Sequence, residues 1–510
     1  MASGETARAN PDKSVAVIGA GIAGLSTGCY LQMNGYRTHI FEMHTLPGGL
    51  CTSWERKGYT IDCCIHWLTG SRPGASLYKL WQEIGLIQEL TLIDHDEFSR
   101  AEFADGPTVI IYTDLDRLER HLLEIAPEDG AAIKDCVGAA RLLARKELPS
   151  DLPPRQLMRT GDMLRLMPRM FRLMRTLRKW DAFTIAQFAD RFQNRFVRQA
   201  MLEAWPPQMS AFTLPMTLAW FHARQAGYPI GGSLPLARAV EKRFLDLGGA
   251  IDYRARVTEI LVEDDQAVGI RLADGREQRF DTVVSAADLH STVYEMLGGT
   301  YADDSVRSWF SDLTPFPPLV FIGVGVAREF PDEPRVASGA HLDLGQPLHI
   351  GSQTVARLHY RMMNYDPTLA PAGKTVITCM LPVDYDYWKD LARDRVAYEA
   401  QKDAIADALV KALDGRFPGL ADQVEVANVA TPTTFERYTG NWRGSFEGWL
   451  PTPSILTTEM PKTLPGLDCF YLAGQWVAPG GGLPAGVMTG RHVTQLICHK
   501  DGRRFQTTIP

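Results

Sequence analysis

Gly19, Gly21 and Gly24, spaced G-x-G-x-x-G in "VIGAGIAGLS", act chemically through what they lack. Gly19 permits a tight turn, Gly21 lets backbone approach a pyrophosphate beside Ala23, and Gly24 lets helix and strand pack closely. About 20 residues further on stands Glu42, followed by Met43, a carboxylate placed to accept both hydroxyls of an adenosine ribose. Three other residues are candidates for proton chemistry. His66, in "IDCCIHWLTG", has a side chain that exchanges protons near neutral pH, or is a histidine satisfied by backbone. Glu436 and Arg437, in "TPTTFERYTG", complete the catalytic candidates, Arg437 being equally suited to an ion pair. Cys63 and Cys64 are adjacent with no C-x-x-C partner, so no metal site is expected.

The elements that must position these groups follow from local pattern. Val15 to Ile18 is a β-branched run suited to a buried parallel strand. A helix is expected from about Ile22 to Asn34 with Gly35 as its C′ cap, then a strand, "YRTHIFE", ending at Glu42. Phosphate then sits at the helix N-terminus, where free N–H groups and the dipole favour negative charge. With no Arg directly after Glu42, the ribose is unphosphorylated, which favours FAD or NAD over NADP.

Two further glycine-rich stretches favour FAD. "LPGGLCTSW" places Gly48, Gly49 and Leu50 just beyond Glu42, a second close backbone approach. Near the other end, "FYLAGQWVAPGGGLPAGVMTGRHV" runs from a strand into Gly474 and Gln475, then a glycine loop, then Gly482, Leu483 and Pro484 opening a helix. That helix N-terminus is available to a flavin ring or its ribityl chain.

With both ends read, the chain resembles the carotenoid (phytoene) desaturase, carotenoid isomerase and retinol saturase family of FAD-dependent oxidoreductases. The resemblance covers most of the chain, and its more specific parts are "IHWLTG" and "TPTTFERYTGNWRGSFEG". It implies an α/β fold: a Rossmann-type FAD-binding domain of the GR2, amine-oxidase-like kind with an interleaved α+β substrate domain. The FAD-binding part is expected at 13–87, 226–300 and 431–500, and the substrate part at 88–225 and 301–430. It implies that the strand carrying Val257 contacts the adenine and that Trp442 shapes a tunnel end near the flavin. Two positions depart from the family pattern: Leu50 stands where Arg is usual, and Gln475 where an acid is usual. An amide still hydrogen-bonds a hydroxyl, so FAD binding survives, while the direction of electron flow stays open.

The chain has 510 residues, 45% hydrophobic and 22% charged, with net charge -7. The acidity argues against nucleic acid as a partner. No apolar run reaches the ~20 residues a spanning helix needs, and no secretory leader is read at the start. Eight cysteines in a chain this long suit reduced thiols in the cytoplasm rather than a disulfide framework. Trp67, Trp205, Met209, Phe212, Trp220 and Phe221 are expected to line the substrate site, ordinary core being the alternative for such a cluster. From Arg155 to Trp180, Met163, Met167, Met170 and Met174 recur at helical spacing opposite Arg165, Arg169, Arg172 and Lys179. This basic amphipathic pattern suits either peripheral contact with an anionic membrane or packing on the core, and Pro168 would kink it.

The function expected is FAD-dependent chemistry on C–C bonds of an apolar polyene or isoprenoid lipid. Electrons would pass to or from oxygen, a quinone or another reductant. The alternatives are a flavin amine oxidase acting on a small molecule and a non-catalytic, flavin-stabilised lipid-binding protein.

Overall fold

The computed structural model describes residues 13–145, 149–158, 171–458 and 460–510. Strand β1 (Ser14–Ile18) is buried at all five positions, as expected of a central parallel strand covered on both faces. On one side it pairs with β2 (Arg37–Glu42) and then Ala250–Tyr253; on the other with Thr282–Ser285 and then Phe470–Leu472. Every pairing is parallel. The sheet therefore gathers strands from the first, middle and last parts of the chain.

Helix α1 (Ile22–Met33) crosses from β1 to β2 and is buried almost all round. Asn34 caps it and Gly35 follows at φ +77°, the left-handed residue that ends a helix. The last helix, Gly482–Lys500, lies against α1. Small residues make this approach possible: a Cβ on Gly490 would stand 2.8 Å from the Thr27 nitrogen.

A second, seven-stranded sheet runs in the order Val424–Ala430, Leu319–Val326, Thr375–Pro382, Gln353–Met362, Val336–Ile350, Glu97–Ala101 and Val109–Tyr112. The apolar runs "LVFIGVGV" and "TVITCMLP" are antiparallel neighbours, with Ile322 opposite Cys379. The hairpin of Ser53–Arg56 and Tyr59–Asp62 lies on this sheet. It fits because Gly323 and Gly325 have no side chains where Ile61 and Tyr59 press down. A helical layer, including Gly130–Ala144 and Thr213–His222, closes over an apolar core that contains Trp180, Phe188, Trp205, Phe212 and Phe221.

The basic segment at 155–180 is only partly described. Residues 159–170, with Met163, Arg165, Met167, Arg169 and Met170, lie outside the described residues. Residues 171–180 are helical, with Leu173 and Trp180 buried and Phe171 68% exposed among exposed Arg172, Arg175, Arg178 and Lys179. Among the described residues no helix is long and apolar enough to cross a membrane.

Candidate functional site: an elongated dinucleotide cavity

A cavity of about 2420 Å³ runs between the two sheets, and Gly21, Glu42 and Gly481 all line it. At one end Gly19 takes φ +96°, and its N–H donates to the Phe41 carbonyl at 2.8 Å, drawing the turn onto β2. The first turn of α1 begins there with backbone N–H groups that have no partner within the helix. Gly48 lies beside Gly21 in a parallel bridge and donates to the Ala20 carbonyl at 2.8 Å. A Cβ on Gly49 would stand 3.4 Å from the Gly21 Cα, so both glycine turns leave backbone bare at one spot. Glu42 is buried; one carboxylate oxygen accepts from Ala20 N–H and the other from His44 N–H, each at 2.7 Å. Each oxygen keeps lone-pair capacity for a ribose hydroxyl.

At the far end Gly474 takes φ +109°, its N–H donating to Thr489 Oγ1 at 2.8 Å. Gly480, Gly481 and Gly482 all have positive φ and deliver the N-terminus of the last helix to the cavity wall. Bare glycine turns and a helix N-terminus at each end, with a buried carboxylate beside the first, fit an extended FAD. Ala23, Met43, Leu50, Val257, Gln475, Leu483 and Pro484 line the same cavity. Gly24 does not: it stands behind the turn, where a Cβ would collide with the Gly19 carbonyl oxygen, so its role is spacing.

His66 lines the cavity, and its Nδ1 lies 3.1 Å from the Cys64 carbonyl. Nδ1 is then the protonated nitrogen and Nε2 an acceptor. Arg361 donates to the carbonyls of Ile65 (2.9 Å) and His66 (3.3 Å), fixing this loop. Burial, and then the Arg361 charge, hold the imidazole well below its usual range, so it is neutral at physiological pH. The unfolded chain takes up this proton near pH 6.5 and the native one does not. The His66 contribution to stability is thus intact above pH 6.5 and lost on acidification at about 1.4 kcal/mol per pH unit. Replacing His66 by Asn is expected to make the loss of stability between pH 6.5 and 5.5 shallower by about 1 kcal/mol. Denaturant titrations at the two pH values check this, and equal slopes for both proteins would refute it.

The remaining candidates divide. Trp67, Trp205, Met209 and Trp220 line the cavity, as does Arg437. Glu436 is turned away: it accepts from Lys389 Nζ at 2.9 Å and from the Tyr385 hydroxyl at 2.8 Å. Phe212 and Phe221 sit behind the wall; the Phe221 ring is 5.3 Å from both Trp67 and Phe98. Trp442 stacks on His290 at 5.3 Å, next to Phe310, outside the lining. Among the cavity residues that escaped sequence reasoning are His341, His359, Asp288 and Glu447. His341 and His359 face each other across adjacent strands, and Asp288 accepts from the N–H groups of Ser291 and Trp442. Glu447 lies at the end of the family-like "TPTTFERYTGNWRGSFEG", where the sequence pattern assigns it no role.

Residues 22–498 match the flavin containing amine oxidoreductases, and the chain belongs to that family as an FAD-dependent oxidoreductase. Among its relatives, the chloroplastic prolycopene isomerase of Arabidopsis thaliana is 25% identical, over 93% of this chain and 80% of the relative. The lycopene-forming phytoene desaturase of Pseudescherichia vulneris is 26% identical, over 95% and 99%. Solved structures share the fold. A cyclohexylamine oxidase from Brevibacterium oxydans IH-35A superposes with a TM-score of 0.59 at 17% identity, over 97% of this chain and all of that one.

Proposed function

We propose that this chain acts on C–C bonds of an apolar polyene of the carotenoid kind, as a desaturase, isomerase or saturase. One observation carries the reading. The wall formed by Trp67, Trp205, Met209, Met216 and Trp220 belongs to the same cavity as the dinucleotide cradle. Such a wall excludes water and binds extended hydrocarbon through burial alone. The names of the isomerase and desaturase relatives agree with it. When bound, FAD supplies two-electron hydride exchange at its ring.

The chain's own residues have three tasks. The glycine turns and Glu42 hold the cofactor extended. The aromatic wall aligns the polyene along it. The Asp62–Trp67 loop, fixed by Arg361, keeps a neutral imidazole acceptor at the cavity wall. In this reading 13–87, 226–300 and 431–500 form the cofactor part, and 88–225 and 301–430 the substrate part. The substrate comes from a membrane surface, approached through the exposed Phe171 and its neighbouring arginines. The electron partner is oxygen, a quinone or a soluble reductant.

The test uses FAD-loaded protein with liposomes carrying prolycopene or phytoene, with and without a quinone, followed by chromatography of extracted pigments. Geometric isomerisation or a changed number of double bonds is expected. Peroxide release with cyclohexylamine and an unchanged polyene in every arm would overturn the reading in favour of an amine oxidase.

A further inference from the structure

Five carboxylates line the cavity among the described residues: Glu42, Glu203, Asp288, Glu295 and Glu447. Four are engaged. Glu42 accepts two backbone N–H groups, Glu203 pairs with Arg357, Asp288 accepts two N–H groups, and Glu295 accepts from Ser291 Oγ at 3.3 Å. Glu447 makes no hydrogen bond or ion pair within the described residues. It is wedged against the glycine turn at the head of the last helix; a Cβ on Gly482 would stand 3.0 Å from its Oε1. On its other side Gly448 abuts the Gln475 backbone, and Phe446 packs 5.2 Å from Phe316 toward the apolar side. Its carboxyl thus stands on the cavity wall against the glycine turn of the last helix, with the Phe446–Phe316 pair next along the chain.

We infer that Glu447 is the proton-exchanging group of this chamber, giving or taking the proton that must accompany hydride transfer at a C=C bond. The inference rests on the polyene reading for its substrate, though not for the state of the carboxyl. In the reducing direction, reduced FAD is the reductant. One carbon receives the hydride with its electron pair, and the neighbouring carbon receives the Glu447 proton. The π bond is lost, two C–H bonds form, and Glu447 is left as carboxylate. Desaturation is the reverse: two C–H bonds break, the carboxylate takes the proton, and oxidised FAD accepts the hydride.

The carboxyl is held in the form this requires. Burial alone pushes Glu447 up to about 8. The elements packed on it, Gly480–Gly482, Gly448–Trp449, Gln475–Trp476 and the segment around Phe316, bring no charged group against it. The helix N-terminus favours the ionised form. Desolvation opposes it, and no helix N–H bonds to the carboxyl. A group poised near neutrality gives proton in one direction and accepts it in the other.

The experiment compares wild type with Glu447→Gln, both FAD-loaded. Without substrate, the flavin absorption band is titrated from pH 6 to 10. A transition near pH 8 is expected in wild type and none in the variant; the same transition in both would overturn the inference. With the flavin photoreduced and prolycopene added in D₂O, deuterium incorporation is expected to fall at least ~100-fold in Glu447→Gln. With oxidised FAD and phytoene, which gives up a proton rather than taking one, the rate of flavin reduction is expected to fall as far, with FAD content and photoreduction rate unchanged. Incorporation within threefold of wild type would overturn it. If wild type transforms neither polyene, the substrate reading fails, and the flavin titration alone decides the role of Glu447.

Discussion

Gly24→Ala is expected to give colourless protein. The new methyl would fall far inside van der Waals contact distance of the Gly19 carbonyl oxygen, with the Gly19 carbonyl carbon at 3.1 Å and Ala286 Cβ at 3.4 Å. The first two are backbone atoms of the phosphate-binding turn, and that turn is tied to β2 through Phe41. Helix α1 cannot retreat either, because Gly486 and Gly490 of the last helix press on Ile22 and Thr27. The strain therefore exceeds ordinary overpacking, about 1–3 kcal/mol, and it displaces the cradle itself. FAD per chain, from absorbance after gel filtration, should fall at least ~tenfold, with lower thermal stability. The control is Gly138→Ala on the exposed side of the helix Gly130–Ala144, where a Cβ meets nothing within 4 Å. There a gain of about 0.5–1 kcal/mol is expected. A yellow Gly24→Ala protein with a full complement of FAD would refute the packing argument.

The role of Gly24 was accessible from sequence because its physics is local. The turn, the helix and the acid at Glu42 lie within one β–α–β unit, and each glycine has its own steric reason. Gly480–Gly482 were legible in the same way, since a glycine run between an apolar strand and a helix restricts the backbone whatever surrounds it. The seven-stranded sheet was legible only in pieces. "LVFIGVGV" and "TVITCMLP" read as strands, but their pairing depends on chain closure over long separations.

Side-chain direction was the harder part. Glu436 and Arg437 are neighbours on the helix Pro432–Thr439, and about 100° of helical rotation separates them, sending Arg437 to the cavity and Glu436 to Lys389. The family resemblance implied a tunnel role for Trp442, yet its backbone N–H is held by Asp288 and its ring by His290. His341 and His359 became neighbours only through strand register. Glu447 lies in the family-like stretch "TPTTFERYTGNWRGSFEG", yet nothing there gave it a role, because an acid's isolation from partners is a property of the assembled chamber.

The same dependence on assembly makes Asp62→Ala the more damaging of the polar substitutions. Asp62, 5% exposed, ends the hairpin that lies on Gly323 and Gly325. One oxygen accepts from Cys64 N–H (3.1 Å), Ile65 N–H (3.3 Å) and Ser233 Oγ (2.7 Å); the other accepts from Ser233 N–H. A single carboxylate thus joins the His66 loop to the N-terminus of the helix Ser233–Asp246, which arrives from the middle of the chain. Gly232 precedes that helix at φ +73°, because a side chain there would strike the carboxylate. Alanine leaves the Cys64 and Ser233 donors buried without acceptors, while Ile65 N–H keeps its 2.9 Å bond to Ser233 Oγ. Hydrogen bonds to a charged group contribute about 1.5–3 kcal/mol each and are not additive, so a loss of about 3–5 kcal/mol is expected. Asp62→Asn should lose less, since its carbonyl serves one side while its NH₂ opposes Ser233 N–H. Arg361 still grips the carbonyls of Ile65 and His66, so the loop shifts rather than unravels. FAD should remain bound while polyene turnover falls with the displaced imidazole. Denaturant unfolding of the FAD-loaded proteins measures the stability term. A midpoint for Asp62→Ala equal to that of wild type would show that Asp62 does not hold the loop to the helix.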